Sequence, residues 1–166
     1  SATLDAKKFQ RYFGGKTPLV RIPGRMFPVQ KSYDPIPDNK NILHAAVNCA
    51  WKHHTRAKFS GDILVFLTGQ DETERAVKIF QAKQARYERE HKQLVDKKAL
   101  VLALYGKQLP EDQRLVFSKA PAKTRKIIFS TNVAETGVTV DGVKMVVDSG
   151  LCKEYSFDGK RNLATL

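Results

Sequence analysis

Between Gly61 and Gly150 the chain alternates short, largely apolar runs with longer amphipathic stretches, and this alternation constrains its fold more than any other feature. Residues 63–67, Ile-Leu-Val-Phe-Leu, are apolar at every position and lack the in–out alternation of a strand that faces water. Such a strand is buried on both faces, as in a parallel sheet covered by helices. A second run follows at 99–104, a third at 126–129 and a fourth at 144–147. A long helical stretch carrying Val77, Phe80, Gln84 and Tyr87 separates the first two, and its charge-dense far end, 88–98, reads as a solvated helix face plus loop. Tyr105-Gly106 opens a shorter helix that ends at Phe117. Strands alternating with helices define an α/β fold with a mainly parallel sheet flanked by helices. Ligands bind such sheets beyond the carboxyl ends of the strands. That rule singles out three loops, 68–71, 105–108 and 130–139.

Before Gly61 the signals are weaker. Asp5 can cap a helix with Phe9, Tyr12 and Phe13 on one stripe, closed by Gly14-Gly15. Residues 19–22 read as a brief strand stopped by Pro23-Gly24, residues 28–33 as extended chain, and 34–39 as a turn-rich connector. Leu43, Ala46, Val47, Ala50 and Trp51 recur at helical steps, so residues 41–54 are expected to form a helix. After Gly150, strand character around Asp158-Gly159 marks the start of a β-hairpin.

The net charge is +12, and Lys7, Lys8, Arg11, Lys16, Arg21, Arg25 and Lys31 meet few acids in the first part of the chain. That exceeds the magnitude of about 2–8 that solubility asks of a small domain and points to a polyanion, nucleic acid ahead of membrane. Cys49 and Cys152 have no partner spacing for zinc or a disulfide framework, which fits a reducing compartment, nucleus or cytoplasm. His53-His54 lacks further ligands at useful spacing and reads as an exposed helix end rather than a metal site. The run at 63–67 is far too short to span a bilayer, so no membrane partner is expected.

The segment Ser130-Thr131-Asn132-Val133-Ala134-Glu135-Thr136 directly follows a buried run. Small hydroxyl residues at a strand end, ahead of a helix start, offer N–H groups and hydroxyls to an oxyanion, although Ser-Thr-Asn alone also suits an ordinary N-cap. The longer stretch 130–150, STNVAETGVTVDGVKMVVDSG, closely resembles motif V and its following strand in DEAH-box helicases. Other blocks agree in order. Ser1-Ala2-Thr3 is similar to motif III, and Gly24-Arg25 with Pro28-Val29 to the start of the second helicase domain. Residues 64–72, LVFLTGQDE, resemble motif IV. Leu104-Tyr105-Gly106, Leu109-Pro110, Phe117 and Ala120-Pro121 complete the register.

The resemblance implies the second RecA-like domain of an ATP-dependent RNA helicase, occupying 24–166 and stopping before motif VI, with 1–23 the end of the first domain and its linker. ATP with Mg2+ would lie between the two domains while single-stranded RNA crosses both, and an activator protein is a further expected partner. By the same resemblance Phe117 would stack on adenine, and Thr139 and Asp141 would face the ribose and nearby nucleotide groups. Arg25, Thr68, Thr131 and Asn132 would hold RNA phosphates and sugars, with Gly69 letting the backbone approach. Ser1 and Thr3 would link nucleotide state to domain movement. Without the resemblance, Phe117 reads as a core aromatic and Asp141-Gly142 as a turn.

The chain departs from the family pattern at Gly137, where the family has a serine that senses nucleotide state. Glycine has no hydroxyl, so that switch is absent or carried by a neighbour such as Thr136. No G-x-x-x-x-G-K-[ST] loop and no D-E-A-H run occurs in these residues, so no complete catalytic set is expected here and the chain alone should not hydrolyse ATP. The leading reading is therefore part of an enzyme that translocates on RNA and unwinds duplexes or remodels RNA–protein complexes. The alternative, favoured by Gly137, is a decayed helicase-like RNA-binding or scaffold module.

Overall fold

All four apolar runs become strands, in the chain order α1 (Ala6–Tyr12), α2 (Ile42–Arg56), β1 (Asp62–Phe66), α3 (Gln70–Glu90), β2 (Lys98–Leu104), α4 (Pro110–Phe117), β3 (Thr124–Ser130), β4 (Val143–Asp148), β5 (Ser156–Asp158) and β6 (Leu163–Thr165). The computed structural model describes residues 5–20, 22, 24, 27–36, 41–56, 60–91, 98–135, 138–153, 156–158 and 163–165. Two units emerge, Ser1–Pro35 and Ile36–Leu166.

In the larger unit β1 to β4 form one parallel sheet in the order β2-β3-β1-β4. Its two faces divide the apolar run of β1 between two cores. Ile63 and Val65, with Ile127 and Phe129 of β3, pack against Leu43, Ala46, Val47 and Ala50 of α2 and Ala76 and Phe80 of α3. Leu64 and Ile128 face the other way, where they pack with Leu104 of β2 and Val116 of α4. Phe80 meets Trp51 and Phe129 edge-on, with centroids 5.2 and 5.9 Å apart. Truncating Phe80 to Ala would cost about 3–5 kcal/mol, the range for a fully buried aromatic. The edge strand β4 buries one face only. Met145 and Val147 join the first core, whereas Val146 is 54% exposed.

The start of β3 carries two buried cations. Arg125 and Lys126 are consecutive and so point to opposite faces of the sheet. Arg125 Nη1 donates to the His53 and His54 carbonyls at the end of α2, at 3.3 and 3.2 Å. Lys126 Nζ donates to the Val116 and Ser118 carbonyls at the end of α4, at 2.8 and 2.9 Å. The last carbonyls of a helix have no partner within it and form the negative end of its dipole, so each cation closes one helix.

In the smaller unit α1 forms as expected. The Asp5 carboxylate accepts from the Lys8 N–H at 3.1 Å, and Gly14 and Gly15 take φ of 79° and 75° beyond the helix end. The expected strand at 19–22 does not form among the described residues, and Val20 and Ile22 stay exposed. Among the described residues no strand lies beside it, and extended chain without a neighbour has no ladder. At the other end the hairpin has both of its strands, β5 and β6 pairing antiparallel through Ser156↔Thr165, Phe157↔Ala164 and Asp158↔Leu163. It is thus more than the start of a hairpin.

Candidate functional site at two ends of one sheet

Backbone bonds beyond the strand ends set the loops at the carboxyl end side by side. Leu67 N donates to Ser130 O at 2.8 Å, and Thr131 N to Leu104 O at 3.0 Å. Thr68 and Thr131-Asn132 therefore lie in adjacent loops, and Thr68 and Asn132 border a cleft of about 360 Å³, to which Glu135, Asp148 and Lys153 add charge. The helix start expected after β3 shrinks to one 3-10 turn, Asn132–Ala134, whose cap Thr131 makes no side-chain cap bond. An ordinary N-cap role for Thr131 is thereby set aside, and its side chain is left half-buried beside the exposed Asn132.

Thr68 is more committed than its hydroxyl alone suggests. Its N–H and Oγ1 both donate to Glu72 Oε2, at 3.2 and 2.5 Å, in an arrangement akin to a capping box at the start of α3. Its hydroxyl thus offers lone pairs to a ligand, while its proton is engaged. Gly69 is extended, with φ of −162°, so its conformation does not require glycine. Space does matter there: a Cβ on Gly69 would lie 3.2 Å from Lys153 Nζ. The missing side chain makes room for an ammonium at the cleft.

The third loop, 105–108, is tied down. Tyr105 Oη donates to Glu74 Oε1 at 2.8 Å, and Gln70 Nε2 donates to the same oxygen at 2.9 Å. The Gln70 and Tyr105 hydrogen bonds hold the Glu74 carboxyl below its ordinary range. This loop braces α3 and does not line the cleft.

Phe117, Thr139 and Asp141 stand apart from these groups. Phe117 ends α4 and is 38% exposed, so it is not a core aromatic. Residues 138–142 descend to the amino end of β4, with Val140 packed on the second core and Thr139 and Asp141 exposed. Asp141-Gly142 does form a turn, with Gly142 at φ 89° and its carbonyl accepting from Asp62 N at 2.8 Å. Phe117 and Asp141 thus belong to the amino end of the sheet, the end opposite Thr68 and Asn132. The carboxyl-end rule, applied to the whole 130–139 loop, captures only the first part of its path.

Ser1, Thr3, Arg25 and Gly137, with Thr136 beside it, lie outside the described residues. No group of three or more His, Cys, Asp or Glu suited to a metal occurs among the described residues. His54 corrects the reading of His53-His54 as an exposed helix end. It is buried beside Trp51 and Phe80, and burial followed by the Arg125 charge lowers its pKa to about 4. Sequence reasoning missed Asp148 and Lys153, although the same carboxyl-end rule, applied to the fourth strand, points to the loop that holds them. It also missed Lys126 and Asp62, because a lysine at the edge of an apolar run ordinarily reads as a solvated strand end.

A four-stranded parallel sheet flanked by helices, with a polar cleft at its carboxyl end and an exposed aromatic and an exposed carboxylate toward its amino end, defines an α/β domain of the RecA-like kind. Residues 45–162 match the helicase conserved C-terminal domain, and the chain belongs to that family. Its relatives are DEAH-box RNA helicases. It is 41% identical over 167 residues to the ATP-dependent RNA helicase DHX33 of Homo sapiens. It is 40% identical over 168 residues to the pre-mRNA-splicing factor ATP-dependent RNA helicase prp22 of Schizosaccharomyces pombe. All of this chain is covered in both, but it spans only 22% of the first relative and 14% of the second. Among solved structures, the DEAH/RHA helicase HrpB of Escherichia coli superposes with a TM-score of 0.79 at 30% identity, over 99% of this chain and 19% of that one.

Proposed function

We propose that this chain is the second RecA-like domain of an ATP-dependent RNA helicase, which uses ATP hydrolysis to translocate on single-stranded RNA and to unwind duplexes or remodel RNA–protein complexes. The observation that carries the reading is the separation of two kinds of surface on one sheet. Phe117, Thr139 and Asp141 are exposed at the amino end, whereas Thr68, Asn132 and Lys153 line one cleft at the carboxyl end, with Thr131 in the adjoining loop.

The amino-end groups suit a nucleotide. An open ring stacks on a base without reading its hydrogen bonds, and the Asp141 carboxylate can accept from both ribose hydroxyls. ATP supplies the free energy of phosphate transfer. Its Mg2+ would be held chiefly by the first domain, which joins this chain through residues 1–23. The carboxyl-end groups suit RNA: Lys153 meets phosphate, Thr131 and Asn132 meet phosphate and sugar, and Glu135 and Asp148 accept from sugar hydroxyls. Arg25 extends the RNA track, and Ser1, Thr3 and the segment around Gly137 carry coupling between the sites. The protein acts in the nucleus or cytoplasm with an activator protein as partner.

Two assays test this together. The full-length protein should release phosphate from ATP faster with single-stranded RNA than without it. This chain alone should show no such turnover, yet bind single-stranded RNA weakly, without sequence preference and with affinity that falls steeply as salt rises. Turnover by the chain alone, or RNA affinity indifferent to salt, would contradict the proposal.

A further inference from the structure

We infer that the buried Lys126–Asp62 pair is the positioning device of the nucleotide platform: Lys126 holds the backbone on both sides of Phe117, and Asp62 joins that lysine to the turn carrying Asp141. The inference rests on the proposed placing of the nucleotide at Phe117 and Asp141.

Lysine is almost never this deeply buried without a specific reason. The side chains of Lys126 and Asp62 are 2% and 11% exposed, with Nζ and Oδ2 3.7 Å apart. Two further bonds of Nζ go to the carbonyls of Val116 and Ser118, the residues flanking Phe117. The last turn of α4 would otherwise end in unpaired carbonyls and fray, taking the ring with it. Asp62 completes the link. Its Oδ1 accepts from Lys126 N at 2.8 Å, and its own N–H donates to Gly142 O at 2.8 Å. Its Oδ2 lies 3.0 Å from where a Cβ on Gly142 would stand. The Asp141-Gly142 turn is therefore seated directly against this carboxylate.

Stability alone is a poor explanation for the pair. A buried ion pair replaced by apolar side chains of similar volume is often neutral or stabilising. What an apolar residue cannot do is grip two carbonyls on either side of one aromatic while neutralising the carboxylate beneath the neighbouring turn. A stacking ring and a sugar-binding carboxylate act together only if their spacing is fixed before the ligand arrives, because ordering them on binding subtracts from affinity.

The test uses the full-length protein with Lys126→Met, Phe117→Ala and the double substitution. Affinity for AMP-PNP with Mg2+ is read by calorimetry, affinity for single-stranded RNA by anisotropy, and the thermal midpoint alongside. Lys126→Met should weaken AMP-PNP about tenfold, the scale of one lost stacking contact, and leave RNA affinity unchanged. Because Lys126 acts in part through Phe117, the double substitution should lose clearly less affinity than the two single losses added together. Unchanged AMP-PNP affinity with a lowered thermal midpoint, or losses that add, would overturn the positioning role. A neutral Phe117→Ala would instead sink the placing of the nucleotide, and this inference with it. Should Lys126→Met fail to fold, Asp62→Asn takes its place, since it keeps an acceptor for Lys126 N while removing the charge. The same loss is then expected, and the same unchanged affinity would refute the role.

Discussion

The two ends of the sheet are built on opposite principles although β3 runs through both. At its start, Arg125 and Lys126 are buried and grip the carbonyl ends of α2 and α4. Beyond its finish, Asn132 opens into a cleft that Lys153 also lines. Five residue steps lead from Lys126 to Thr131, roughly 17 Å of extended chain. The difference fits what each end would recognise under the proposed function. A nucleotide is small and would need its base and sugar contacts at fixed spacing, which suits a platform braced from within. An RNA backbone is repetitive and slides, which suits exposed donors and charges that make no demand on sequence. Residues 131–142 connect the two ends, and Gly137 lies on that connection.

Acid should break the braced end, with the largest effect on stability. His54 has a folded-state pKa near 4 against an ordinary value of 6.5, and its Nδ1 has no hydrogen-bond partner among the described residues. Between those values the unfolded chain binds more protons than the folded one, so stability rises with pH through the window. The contribution is fully present above pH 6.5 and is lost as pH falls toward 4, by up to about 3 kcal/mol. Denaturant titrations from pH 7.5 to 4.5 should show this fall in the parent and a shallower one in His54→Leu. Parallel curves would mean that the histidine is not the sensitive group.

A smaller effect belongs to the ring itself. Phe117→Ala in the full-length protein should weaken AMP-PNP by about 1–3 kcal/mol, and the parent should accept GTP as well as ATP, since stacking is indifferent to the base. Retained nucleotide affinity together with lost thermal stability would return Phe117 to a packing role.

The smallest effect is expected at the open end. Glu72→Gln keeps an acceptor for Thr68 but removes a negative charge bonded to that residue beside the cleft. RNA affinity should rise by about 0.5 kcal/mol, the scale of an exposed charge interaction. A weaker complex would show that the carboxylate itself contacts RNA.

Much of this was legible in the sequence, for identifiable reasons. Short apolar runs located each strand of the main sheet, most cleanly β1, whose burial on both faces removes the in–out alternation. The structure extends β3 from the expected 126–129 to Thr124–Ser130. Its polar ends are hidden by buried Arg125 and Lys126 and by Ser130, whose Oγ donates to Thr131 O. Residues 19–22 misled for the converse reason: an apolar pattern signals a strand only if a neighbour exists to pair with it. Family motifs brought Thr68, Thr131, Asn132, Phe117, Thr139 and Asp141 forward, but motifs carry no map of which loop descends to which end. Lys126 and Asp62 stayed hidden because their roles depend on contacts across 64 residues of sequence. Spacing reveals local pairs, and this pair is not local.

The most direct test of the two-ended account is a crossed measurement on Phe117→Ala and Asn132→Ala in the full-length protein. Each variant is assayed for AMP-PNP affinity without RNA and for single-stranded RNA affinity without nucleotide, so that coupling between the sites cannot mix the readings. The account predicts that Phe117→Ala weakens only the nucleotide and Asn132→Ala only the RNA. Losses of both ligands in both variants, or the reverse assignment, would contradict it.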